Sequence, residues 1–131
     1  MNKKYYIPKD KSDISAVKNL NSLPFNVVKS DVPRLLESLQ DMHWDIAFGV
    51  AKYFIPYVSD ISNELLLILK TGDENWKFNI LNALVKYSPD KIDPELLREI
   101  ERIAKYPSEG EIEDGAHFAA KQIIENRFLY E

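Results

Sequence analysis

Asn63-Glu64-Leu65-Leu66-Leu67-Ile68-Leu69 repeats the pattern of Pro33-Arg34-Leu35-Leu36-Glu37-Ser38-Leu39 before it and of Pro94-Glu95-Leu96-Leu97-Arg98-Glu99-Ile100 after it. The leucine pairs recur after 30 and then 31 residues, a supersecondary period and not the period of a helical turn. Each segment reads as a helix of one kind. Pro33 and Pro94 fit a first turn, where a missing N–H costs nothing, and Ser30 or Asp31 and Asp93 stand just ahead as caps.

Working outward, a second kind of helix lies between these. Apolar residues at Trp44, Ala47, Phe48, Ala51, Phe54 and Ile55 follow the three-four spacing of one helical face, with Asp41 as N-cap and Pro56 as stop. After Thr71-Gly72-Asp73, where Gly72 stands as a C-terminal cap, Trp76, Ile80, Leu81, Leu84 and Tyr87 repeat that face before Ser88-Pro89. Ala47-Phe48, Ala51, Phe54 and Pro56 map onto Ile80-Leu81, Leu84, Tyr87 and Pro89 at a constant offset of 33. A third pair has Leu96, Leu97, Ile100, Ile103 and Ala104 in its first stripe and Ile112, Ala116, Ala119, Ala120, Ile123 and Ile124 in its second. Ile14, Val17 and Leu20 suffice for one short N-terminal helix, and the β-branched Val27-Val28 is the only tempting strand.

The fold expected is all-α: a short HEAT-like α-solenoid of about three helix pairs with an N-terminal capping helix, as one domain over residues 1–131. The divisions are 12–29 for the cap, 30–58, 61–89 and 92–128 for the pairs. The alternative is an irregular helical bundle in which the matching leucines are coincidence. The apolar end Phe128-Leu129-Tyr130 either packs on the last repeat or meets another subunit.

The chain also resembles a family of small bacterial HEAT-like helical proteins, domain of unknown function 5071. The resemblance rests on Ile7-Pro8-Lys9-Asp10-Lys11, on Leu39-Gln40-Asp41-Met42-His43-Trp44, on Trp76-Lys77 and on the Ala104 to Glu111 segment. It spans nearly the whole chain and implies the fold, but no activity and no catalytic residue. His43-Trp44-Asp45 stands where the family's pattern has Asn-Trp-Pro, which implies a different local turn here.

Composition bounds the chemistry. Seventeen Lys and Arg against 21 Asp and Glu leave a net charge of −4, the wrong sign for tight nucleic-acid binding. The basic group Lys3, Lys4, Lys9 and Lys11 is short, diluted by Asp10, and reads as a solvated arm. There is no cysteine, hence no disulfide and no thiolate chemistry. No apolar run has signal-peptide or membrane-spanning length, and the longest, Leu65 to Leu69, is far too short, so a cytoplasmic, soluble protein is expected.

His43 and His117 sit in no ligand spacing, and no glycine-rich phosphate loop or Gly-x-Ser-x-Gly elbow occurs, so neither metal nor cofactor is expected. The acidic group Glu109, Glu111, Glu113 and Asp114 surrounds a helix start, where it complements the helix dipole without an ion. Glu37 and Asp41 share a helix face, as surface carboxylates commonly do. Trp44 and Trp76 read as seals between repeats, or as partly exposed anchors for a partner.

One polar stripe stands out. Asn75, Asn79, Asn82 and Lys86 form a ridge on one helix, matched by Asp45, Gly49 and Lys52 on the preceding one and by His117, Lys121 and Glu125 on the last. The simplest reading of that ridge is a solvated face. The functional reading is a non-enzymatic module that binds a protein or peptide with the concave polar surface of the repeat. Its candidate binding residues are Asp45, Lys52, Asn75, Trp76, Asn79, Asn82, Lys86, His117 and Lys121. Two alternatives stand beside it: an immunity-type protein that neutralises a bacterial toxin, and an enzyme of HEAT-like fold acting on a small molecule or DNA. The enzyme reading requires a pocket that joins an aromatic to a carboxylate, for instance Trp76 near Asp41 or Asp73, with a basic rim if DNA is bound.

Overall fold

Asp and Ser residues placed just ahead of apolar periodic runs start several of the helices. Asp13 accepts from the Ala16 N–H, Asp73 from Trp76, Asp93 from Glu95 and Leu96, and Ser108 from Glu111. The computed structural model describes residues 4–130, with side chains through Arg127. Lys3 and the side chains of Phe128, Leu129 and Tyr130 fall outside the described residues, and with them the two placements foreseen for the apolar end. Among the described residues the chain is all-helical, without a strand, and no helix is long and apolar enough to cross a membrane. It divides into two compact units, residues 1–54 and 55–131.

The first unit contains α1 (Ile14–Leu20), α2 (Phe25–Val28), α3 (Val32–Leu36) and α4 (Ala47–Phe54), with 3-10 turns at Lys29–Asp31 and Glu37–Leu39. Helix α4 packs against α1, α3 and the turn that follows α3. Leu20, Val28, Val32, Leu35, Leu36, Leu39, Val50 and Phe54 are completely buried, each contributing roughly 1.5–3 kcal/mol of transfer free energy. Gly49 allows the α1–α4 approach, because a Cβ there would lie 2.1 Å from Val17 Cγ1.

Three expectations change in this unit. The N-terminal segment holds two short helices, and Val27-Val28 is helical: Pro24 sits at the N-cap with extended dihedrals and starts a turn where a strand was tempting. Asp31 makes no capping bond; its carboxylate is taken by Lys4 and Tyr6. The helix expected from Trp44 begins at Ala47. Asp41 gives its carboxylate to the His43 N–H and its carbonyl to the Trp44 N–H, which closes a turn over 41–44 and uses up the residue read as N-cap.

The second unit opens with a 3-10 turn at Ile55–Tyr57 and contains α5 (Ser62–Leu69), α6 (Glu74–Ala83), α7 (Pro94–Lys105), α8 (Glu109–Glu113) and α9 (Ala116–Tyr130). A further 3-10 turn, Val85–Tyr87, follows α6. Helix α5 packs on α6 and α7, and α9 packs on both α6 and α7. The small side chains of Ala116, Ala119 and Ala120, all buried, let α9 approach two neighbours closely. Ile112 does not belong to the last stripe: it is 57% exposed. The helix breaks after Glu113, because Gly115 turns with φ +94°, a conformation that side chains with a Cβ resist. Gly72 does not have the positive φ of a left-handed cap; Gly115 is the glycine that does.

Candidate functional site

In the second unit, three elements meet at a set of charges. Lys77 on α6 is buried, and its Nζ lies 2.9 Å from Glu74 Oε1 and 2.8 Å from Glu111 Oε2. Arg102 on α7 grips the Glu111 carboxylate with both terminal nitrogens, at 3.0 and 2.6 Å, and also holds Glu99. Glu111 itself is 1% exposed and completes a capping box with Ser108 at the start of α8. Burial pushes the Glu111 carboxyl up, but the hydrogen bonds from Arg102, Lys77 and the Ser108 N–H outweigh it and hold the group down at about 2. The same contacts raise Arg102, chiefly its bonds to Glu111 and Glu99. Glu74 Oε2 is buried without a hydrogen-bond partner, beside Gly110, where a Cβ would come within 2.6 Å of it.

The oxygens of Glu111 are all spent on donors, so it has no lone pair placed for accepting a proton from a substrate. The cluster clamps α6, α7 and α8 together. Among the described residues no group of His, Asp and Glu could hold a metal ion.

The residues foreseen as a binding face divide between the units. Asp45 and Lys52 are exposed in the first. In the second, Asn75 and Lys86 are exposed and Trp76 and Asn82 half-buried, but Asn79 is buried at 5% exposure. An open polar ridge through Asn79 is therefore not what forms: α6 is packed by α5, α8 and α9, and its polar stripe turns inward at this position. His117 on α9 directs Nδ1 at the Ile103 carbonyl at 3.0 Å, which ties α9 to α7, while Lys121 is exposed. Asp73, foreseen beside Trp76, spends its carboxylate on the Trp76 backbone N–H.

The first unit holds a cleft. Its larger lobe, of about 600 Å³, is lined by Lys4, Tyr5, Ile7, Asp13 and Arg34 among others, and a smaller one of about 290 Å³ by Lys11, Glu37, Trp44 and Ile46 among others. Ile7, Pro8, Lys9 and Arg34 belong to both lobes. The Ile46 N–H bonds the Lys11 carbonyl, and Lys11 Nζ lies 5.0 Å from the centre of the Trp44 ring, so the 7–11 and 41–46 segments form one wall.

The carboxylates of the larger lobe are occupied. Asp13 accepts from the backbone N–H groups of Lys9 and Ala16, which lower its pKa. Asp31, behind the cleft, is pushed up by burial but lowered overall by the Tyr6 hydroxyl and Lys4. The Tyr6 phenol is pushed up to about 12, by burial first and by Asp31 next. Lys9 and Arg34 close no ion pair among the described residues, although Asp13 acts on Lys9 and Asp31 on Arg34 at longer range. The cleft thus presents two exposed cations outside any ion pair, with Ile7, Trp44 and Ile46 among the apolar residues that line it.

Neither cluster follows from the repeat pattern, yet each left a trace. Ser108-Glu109-Gly110-Glu111 is a capping-box signature, and Lys77 stands with Leu81 and Leu84 on an apolar stripe, where a charge asks for a buried partner. For the cleft, the trace was the basic group Lys4, Lys9 and Lys11, read as an arm. Arg34 had none.

No curated protein matches the chain. The family model described as a domain of unknown function (DUF5071) matches residues 6–124, from the tyrosine beneath the cleft to the last helix, and the chain belongs to that family.

Proposed function

We propose that this protein is a non-enzymatic binding module that takes a protein or peptide, with the cleft of the first unit as its contact surface. The observation that carries the reading is the pair Lys9 and Arg34, two cations shared by both lobes and not consumed by ion pairs. Elsewhere buried charge is matched by charge, as at Lys77 and Glu111. An exposed, unpaired cation in a concavity is available to a ligand. The candidate surface thereby moves from the ridge around Asn79 to the wall formed by residues 7–11 and 41–46.

A HEAT-like repeat is the frame of this reading. Two observations support it: the 30 to 33 residue period, and the packing of α5 on α7 and of α6 on α9, by which like helices of successive pairs adjoin. Selecting random displayed peptides on the intact protein and on Arg34→Glu tests the function. Peptides that bind the first and not the second support it; a selection that yields none dependent on Arg34 overturns it.

A second reading, an enzyme of HEAT-like fold acting on a small molecule or DNA, is favoured by one feature. The smaller lobe joins Trp44 to Glu37 and Asp10 beneath Lys9, Lys11 and Arg34. Against it, Glu37 and Asp10 are both exposed, so the lobe does not exclude water from either carboxylate.

A further inference from the structure

Resting on that reading and going beyond it, we propose that the cleft recognises an acidic peptide segment whose carboxylate side chain is bracketed by apolar residues. Lys9 and Arg34 line both lobes, so their positive charge stands at the junction. Tyr5 and Ala16 line the larger lobe alone and Trp44 and Ile46 the smaller one alone, while Ile7 stands at the junction with the cations. A ligand that follows the cleft meets apolar surface, then two cations, then apolar surface again. An extended chain, with a residue every 3.2–3.4 Å or so, presents that alternation naturally.

The distribution of charge favours an anion at this place despite the acidity of the whole chain. Eight of the 17 Lys and Arg but only six of the 21 Asp and Glu fall in residues 1–54, giving +2 there; the remaining nine against 15 give −6 in residues 55–131. The neighbouring carboxylates weaken this charge without closing ion pairs with it: Asp13 acts on Lys9 and Asp31 on Arg34 through space, and the lining as a whole keeps a surplus of one positive charge, Lys4, Lys9, Lys11 and Arg34 against Asp10, Asp13 and Glu37. Arginine adds a planar fork that can take a carboxylate with two parallel bonds.

Nucleic acid fits less well. A duplex or a single strand needs a basic stripe that tracks many phosphates, and this cleft carries Asp10, Asp13 and Glu37 along its length. A second copy of the chain, with its −6 unit against the +2 unit of another, is the competing occupant, and self-association distinguishes it.

The test uses the intact protein and a fluorescent, C-terminally amidated peptide with glutamates bracketed by leucine and phenylalanine. Its glutamine and lysine counterparts and a single-stranded oligonucleotide serve as competing probes. Binding of the glutamate peptide is expected to weaken roughly tenfold or more with Arg34→Glu and again with Lys9→Glu, and to fall as salt rises. Both side chains are exposed, so circular dichroism is expected to report an unchanged helix content in the variants. Tighter binding of the glutamine peptide or of the oligonucleotide, or self-association that saturates the cleft, overturns the acidic-peptide assignment. If the displayed-peptide selection yields Arg34-dependent sequences that lack acidic residues, the ligand class proposed here fails while the binding-module reading stands. If it yields no such dependence at all, both fail.

Discussion

Lys9 and Arg34 in the first unit border a cleft without an ion-pair partner, whereas Lys77 and Arg102 in the second are both committed to Glu111 and to the neighbouring glutamates. The same residue types therefore do different work. In the second unit, charge is buried, so each member depends on the others: a lone ion removed from water costs several kcal/mol, and only the full set offsets that. In the first, the cations remain hydrated and contribute little to stability, which leaves them available to a ligand. Even the half-buried carboxylate of the first unit, Asp31, is served by one lysine and one phenol, a simpler arrangement than the five-residue cluster of the second.

The contrast is broken most directly at Lys77. Lys77→Ala leaves Glu74 and Glu111 facing each other in the interior, and a loss of roughly 3–5 kcal/mol is expected in urea unfolding. A cost under about 1 kcal/mol, the range of an exposed pair, would show that the cluster is effectively solvated.

Acid gives the next largest effect. The Glu111 carboxyl is held at about 2 in the folded protein against an ordinary 4.5, so its stabilisation is complete above pH 4.5 and is lost as pH falls toward 2. The shift corresponds to about 3 kcal/mol at neutral pH. Glu111→Gln should start from a lower stability and flatten the curve across that window, as followed by helical circular dichroism. An unchanged acid limb would remove Glu111 as its source.

Gly49→Ala probes the first unit by packing instead of charge. The new methyl would lie 2.1 Å from Val17 Cγ1, so α1 and α4 must separate, at a cost of about 1–3 kcal/mol. Gly110→Ala places its methyl 2.6 Å from Glu74 Oε2 and 2.9 Å from its Cγ, so Glu74 must shift within its bond to Lys77.

The smallest change is expected at Tyr6. Tyr6→Phe removes the hydroxyl that Asp31 accepts while Lys4 stays in place, worth about 1.5 kcal/mol, the low end for a bond to a charged group. Because the phenol is raised from 10 to about 12, its contribution is present below pH 10 and is lost between 10 and 12. The variant should lack that part of the alkaline limb; a limb of unchanged shape would assign it elsewhere.

Helices and their starts were largely legible. Asp93 caps as the sequence predicts, and Leu65, Leu69, Ile80, Leu81, Leu84, Leu96, Ile100 and Ile103 are all buried along the predicted stripes. Errors arose where a residue had two possible partners. Asp41 could cap a helix or close a turn; its carboxylate accepts from the His43 N–H in either case, but no helix continues through Asp45 and α4 starts only at Ala47. Asp31 could cap α3 or meet Lys4 and Tyr6, 27 and 25 residues earlier, and takes the distant pair. Ile112 matched the spacing of the last stripe, yet Gly115 ends that spacing before α9 begins.

The all-helical class and caps such as Asp93 rest on interactions within a few residues, where spacing along the chain is enough to specify the partner. The buried meeting of Lys77 and Glu111, the inward turn of Asn79 and the cleft between residues 7–11 and 41–46 rest on segments brought together by packing. No local pattern specifies such a meeting, because what a side chain faces across a helix interface depends on how the whole interface packs and not on its own neighbours in sequence.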